Sequence, residues 1–116
     1  RGGRDRTNYE RAAVEGACAQ LLKAGLDPRV MVDCSHDNSG KNHNNQPKVL
    51  LAVAHQVESG SKRLLGVMLE SHLVAGRQDF AVDRALTYGQ SITDACIDID
   101  TTEGLLQDLA TAQLKA

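Results

Sequence analysis

His36, Glu70 and Asp94 are the residues on which chemistry is most readily built in this sequence. An imidazole and two carboxylates form a donor set suited to a borderline divalent ion such as Mn, Fe, Co or Zn. The same carboxylates could instead accept protons or orient substrate hydroxyl groups. Cys34 precedes His36 by two residues, so strand alternation would point both to one face. Cys34 is then either a thiolate donor or a small buried packing residue, and packing is the preferred reading. Cys18 falls on the apolar stripe of a helix and Cys96 reads as packing. His43, His55 and His72 read as solvated or internally satisfied, and Lys41 and Arg77 as loop cations that face either solvent or a phosphate.

Elements around these residues must hold them in place. From about residue 9 to 24, Val14, Ala17, Cys18, Leu21 and Leu22 recur at helical spacing. Thr7 and Glu10 have the spacing of a capping box, and Gly25 is a stop signal. Val30-Met31-Val32 is apolar without alternation, as in a parallel strand buried on both faces. A polar loop over residues 35–46 follows, and Pro47 suits the start of a helix carrying Val49, Leu50, Val53, Ala54 and Val57. Ser59-Gly60-Ser61 ends that helix. A second buried strand, Leu64 to Leu69, stops at Glu70. Residues 71–100 read as a long irregular stretch, and Asp100 and Glu103 frame a last helix with Leu105, Leu106, Leu109 and Leu114.

Strands alternating with amphipathic helices imply α/β architecture with a parallel sheet. Two strands cannot finish such a sheet, so further strands are expected from a longer parent chain or a companion chain. In a parallel barrel the active site lies at the C-terminal strand ends and the loops beyond them. Those ends here carry Asp33-Cys34-Ser35-His36 and Leu69-Glu70-Ser71-His72.

With 116 residues, 41% hydrophobic and 24% charged, the chain has the composition of one ordinary soluble domain. Its formal net charge of -2 gives no sign of a nucleic-acid or anionic-membrane partner. No apolar run approaches the roughly 20 residues of a membrane span. Three cysteines without a CxxC spacing do not make a disulfide framework, which points to a reducing, cytoplasmic setting. Aromatic residues make up only 3%, thin for a self-sufficient core. An opening at Arg1-Gly2-Gly3-Arg4 reads as a fragment or a processed product.

Three blocks now matter together: Asp33-Cys34-Ser35-His36 with Asn38-Ser39, Gly66 to Val74 through Glu70-Ser71-His72, and Tyr88 to Ile97 through Ser91-Ile92-Thr93-Asp94-Ala95-Cys96. In this order and spacing they resemble class I 3-deoxy-D-arabino-heptulosonate 7-phosphate (DAHP) synthase. The likeness covers almost the whole chain but roughly the last third of a family member. It implies the C-terminal part of a (β/α)8 TIM barrel, with residues 1–116 as an incomplete segment of that single domain.

The resemblance further implies condensation of phosphoenolpyruvate with erythrose 4-phosphate, the first step of the shikimate pathway. It makes His36, Glu70 and Asp94 three ligands of one divalent metal ion and places them at the catalytic centre. Arg1 matches an arginine that grips the phosphate of phosphoenolpyruvate, a task suited to a permanently charged, fork-shaped guanidinium. A cysteine ligand and a Lys-Pro-Arg-Thr segment that holds erythrose 4-phosphate belong to the family's preceding part. The isolated chain is therefore expected not to turn over, and a homo-oligomeric assembly is expected of the parent. The sequence departs from the family pattern at Asp98-Ile99-Asp100, where Gly-Trp-Glu is usual, at Ala75, where Glu is usual, and in detail over residues 40–45. A non-catalytic remnant that binds metal or pairs with a partner chain is the alternative. A different metal-dependent barrel lyase or aldolase fits the Ser-Ile-Thr-Asp-Ala-Cys block poorly.

Overall fold

The computed structural model describes residues 1–116. Helix α1 (Arg11–Lys23) buries Val14 and Cys18, one turn apart on its inner stripe. The expected capping box does not form. The helix begins at Arg11, so Glu10 is its N-cap rather than its third residue, and the Thr7 hydroxyl bonds the Glu10 carboxylate instead of a backbone N–H. The end of α1 follows its signal: Gly25 takes φ +73°, with Gly25 N donating to Leu22 O and Leu26 N to Leu21 O. That pair of bonds satisfies two terminal carbonyls, and only a residue without a Cβ enters that conformation freely.

Strand β1 (Val30–Asp33) runs parallel to β2 (Leu64–Met68), in register from Met31–Gly66 to Asp33–Met68. Helix α2 (Gln46–Glu58) connects them, with Pro47 in its first turn, where a missing N–H costs nothing. The final helix, α3 (Ile99–Lys115), packs against α2. It starts earlier than expected: Asp98, not Asp100, is the N-cap, and its Oδ1 accepts from Thr101 N at 2.7 Å.

The stretch expected to be irregular contains four short strands. These are β3 (Ser71–His72), β4 (Val74–Arg77), β5 (Gln90–Ser91) and β6 (Ile97–Asp98). β3 pairs parallel with β6, and β4 with β5. The element order is therefore α1, β1, α2, β2, β3, β4, β5, β6 and α3, with two short 3-10 turns between β1 and α2. Leu69 and Glu70 join β2 to β3, so one chain segment pairs with β1 before Glu70 and with β6 beyond it. Glu70 stands at the change of partner.

Val14, Cys18, Val32, Cys34, Val49, Leu50, Val53, Ile97 and Leu105 form the core, between the strands and the three helices. The strands are not buried on both faces. Met31 is 63% exposed and Leu65 57%, because no element among these residues covers that side. No helix is long and apolar enough to cross a membrane.

Leu50 is fully enclosed, whereas Leu114 projects from α3 into solvent. Leu50→Ala in the full-length protein should cost about 2–5 kcal/mol in denaturant unfolding. Leu114→Ala should stay within about 0.5 kcal/mol.

Candidate metal centre

The site is built from the polar turn that follows β1. Ser35 N and Oγ donate to Asp33 Oδ1 at 2.8 and 2.6 Å, which fixes the carboxylate of the last strand residue. Its other oxygen, Oδ2, lies 2.7 Å from His36 Nδ1. An ionised carboxylate only accepts hydrogen bonds, so Nδ1 carries the proton and Nε2 keeps a free lone pair. Burial pushes the Asp33 carboxyl up, but the bonds from Ser35 and His36 outweigh it and hold the group below the usual carboxylate range. His36 takes φ +47° to reach this position, and Lys41 in the same turn takes φ +59°. Such conformations are unfavourable for residues with a Cβ, and the surrounding bonds must hold them.

His36 Nε2 faces Glu70 Oε1 at 3.2 Å and Asp94 Oδ2 at 3.7 Å. Three residues separated by long stretches of sequence thus bring one donor atom each to within 4.8 Å of one another. Two donors bound to one ion at 2.0–2.2 Å can stand at most about 4.4 Å apart, so the two measured His36 pairs already satisfy that limit. Burial lifts the Glu70 carboxyl above its ordinary range. The His36 imidazole opposes this, the charges of Asp94 and Asp33 add to it, and Arg1 opposes it more weakly. A bound cation would relieve this crowding of negative charge, so donor types, separation and electrostatics all fit a divalent ion.

Glu70 is placed by its main chain. Gln46, the completely buried first residue of α2, donates from Nε2 to Glu70 O at 3.1 Å and accepts from Glu70 N at 2.9 Å. Both backbone groups at the change of strand partner are thereby satisfied. Asp94 lies on the loop between β5 and β6.

Arg1 is tethered beside the same turn, its carbonyl accepting from Asn38 N at 3.1 Å. Asn38 and Asn8 bind each other: Asn38 Oδ1 accepts from Asn8 N at 2.7 Å, and Asn38 Nδ2 donates to Asn8 Oδ1 at 2.8 Å. Asn38 Nδ2 also reaches Asp33 O at 2.8 Å. Gly2 (φ +78°) lies so close that a Cβ would sit 2.8 Å from Asn38 N. The glycine after Arg1 therefore allows the N-terminal segment to dock on the turn. Arg1, His36, Glu70 and Asp94 line one cavity of about 200 Å³, with Lys41, His43 and Arg77 on its wall.

Cys34 does not join this group. β1 ends at Asp33 and His36 turns to positive φ, so strand alternation no longer relates the two side chains. The thiol is wholly enclosed in the apolar core, and burial, aided by the Asp33 charge, pushes it up to about 12. Sequence reasoning gave no role to Asp33, Gln46 or the Asn8–Asn38 pair; Asp33 and Asn38 entered it only as members of a motif block. An acid three residues before a candidate ligand histidine is a usable signal for Asp33, but nothing in the sequence marks Gln46.

Residues 1–107 match the model of the DAHP synthetase I family. The chain belongs to that family. A phospho-2-dehydro-3-deoxyheptonate aldolase of Alternaria alternata is 52% identical over 99% of this chain, and the tyrosine-inhibited enzyme of that name from Schizosaccharomyces pombe is 48% identical over 97%. The solved structure of the Francisella tularensis aldolase superposes with a TM-score of 0.94 at 43% identity, covering 99% of this chain and 33% of that one. This DAHP synthetase I chain spans 31% of the length of those two curated relatives. It therefore corresponds to part of a family member.

A thiol pushed up to about 12 stays almost wholly protonated at pH 8. Cys34 should accordingly resist iodoacetamide in the native full-length protein at pH 8 and react once denaturant is added, as read by peptide mass spectrometry.

Proposed function

We propose that this chain is the C-terminal segment of a (β/α)8-barrel DAHP synthase, and that His36, Glu70 and Asp94 are three ligands of its divalent metal ion. The convergence of these side chains beyond the ends of β1 and β2 carries the reading. C-terminal strand ends are where parallel barrels assemble their active sites. The bare face of β1 and β2, with Met31 and Leu65 exposed, is where the remaining barrel strands would pack. The cysteine ligand and the erythrose 4-phosphate-binding segment would come from that remaining part or from a companion chain.

In the proposed reaction, C3 of phosphoenolpyruvate attacks the aldehyde carbon of erythrose 4-phosphate, water adds at C2, and inorganic phosphate departs. The bound metal ion, of the Mn, Fe, Co or Zn class, would supply Lewis acidity at the sugar aldehyde. Arg1 would meet the phosphate of phosphoenolpyruvate with two guanidinium N–H groups. Its carbonyl anchor on Asn38 N and the close packing of Gly2 hold it at the cavity wall. Asp33 holds the proton on His36 Nδ1 and so presents Nε2 as a donor. Glu70 and Asp94 lower the net charge of the site and stand where they can accept a proton or orient the sugar hydroxyls. Burial holds the half-buried Glu70 carboxyl above its ordinary range, which suits it to accept a proton.

Phosphate release from phosphoenolpyruvate, measured with erythrose 4-phosphate and a divalent metal, tests the reading in the full-length protein. His36→Ala and Glu70→Gln should each reduce both bound metal and turnover to near background. Asp94→Asn, at the most exposed of the three, should abolish turnover while keeping weakened but measurable metal binding; full activity in any of them removes that residue from the ligand set. Asp33→Asn can turn an amide N–H toward Nδ1 and so move the imidazole proton to Nε2. Metal affinity in that variant should fall about 10–100-fold.

Arg1→Ala should raise KM for phosphoenolpyruvate and lower kcat/KM about 10–100-fold, the scale of a lost charge-assisted hydrogen bond. KM for erythrose 4-phosphate should change little. An unaltered phosphoenolpyruvate KM would take Arg1 out of the substrate site.

A further inference from the structure

Asp94 is the least supported member of the triad. Its side chain is 71% exposed. Its carboxylate accepts no hydrogen bond, and the facing His36 Nε2 stands 3.7 Å away, so its place depends on the main chain that carries it. That main chain is tied at two ends to β4 and the residue that follows it. Gln78 N donates to Ser91 O at 2.8 Å, while Gly76 and Cys96 exchange two bonds of 2.9 and 3.1 Å. Between those ties, residues 92–95 have a single link to β4: Arg77 Nε donates to Thr93 O at 2.8 Å. The Thr93 carbonyl and the Asp94 N–H belong to one rigid peptide plane. Fixing that oxygen therefore fixes the orientation of the bond leading into the Asp94 Cα. Arg77 is itself braced, since its terminal NH2 group donates to Asp79 Oδ1 at 2.8 Å, and it lines the same cavity as the triad.

We propose that Arg77 is a positioning residue for Asp94, acting through the Thr93 carbonyl rather than through its charge. This rests on the reading of Asp94 as a ligand of a divalent ion. The link is made by Nε, the nitrogen bonded to Cδ, and Asp79 occupies the charged fork. A neutral side chain with an N–H donor on Cδ can therefore do the same work. Glutamine is such a side chain, because its Nε2 is attached to Cδ as the arginine Nε is. Methionine has similar length and no donor.

Titration of the full-length protein with Mn(II), followed by calorimetry, separates the possibilities. Arg77→Met should weaken Mn(II) binding about tenfold, the lower end of what loss of a ligand-orienting partner costs. Arg77→Gln should bind within about twofold of the parent protein. In an Asp94→Asn background, Arg77→Met should cause no further loss, because a residue acting through Asp94 has nothing left to position. Equal losses in the Met and Gln variants would show a role for charge and overturn the proposal. So would an unchanged Arg77→Met, or an additive loss in the double variant. A changed KM for either substrate with Mn(II) affinity intact would also overturn it, in favour of direct substrate contact. A parent protein that binds no Mn(II) would instead remove the metal reading itself, and this inference with it.

Discussion

The Asp33–His36 contact is the interaction on which the site depends. A histidine can offer only one lone pair, and the partner on the other nitrogen decides which one. Asp33 makes that choice at 2.7 Å, in a carboxylate already immobilised by two bonds from Ser35. The turn then pays in backbone strain, because His36 must adopt positive φ to bring Nδ1 back over the strand end. Asn38 in the same turn also bonds the Asp33 carbonyl, so the docking of Arg1-Gly2 and the aiming of His36 share one set of hydrogen bonds.

Much of this was legible in the residues, for physical reasons that differ by element. α1 and α2 announce themselves because apolar residues recur once per turn and because glycine and proline mark their ends. β1 and β2 show as short apolar runs. The strands β3 to β6 leave no comparable trace: each has two to four residues, and each is defined by a partner far away in sequence. Local periodicity carries no information about such pairings. Asp98 outcompeted Asp100 as a cap for a similar reason, since β6 leads directly into α3 and delivers Asp98 at the helix entrance.

The site divides along the same line. His36, Glu70 and Asp94 could be picked out by chemical type and by motif, and the structure brings them together. The groups that hold them could not be found that way. Gln46 is an amide inside a helix start, and only the fold reveals that its two ends match the N–H and C=O of Glu70. Cys34 was the opposite case, a reactive type in a suggestive position. Its spacing from His36 meant nothing once the strand had ended, and enclosure in the core makes its thiol a packing group.

The Gln46 clamp couples two layers of the molecule. Gln46 begins α2, and α2 lies against α3, so the main chain of Glu70 is fastened to the helical layer as well as to the strands. Sliding or rotating α2 would drag Glu70 with it. The carboxylate at the cavity therefore inherits the stiffness of a helix pair on the far side of the sheet, and the spacing of His36, Glu70 and Asp94 is set partly by how well those helices interlock.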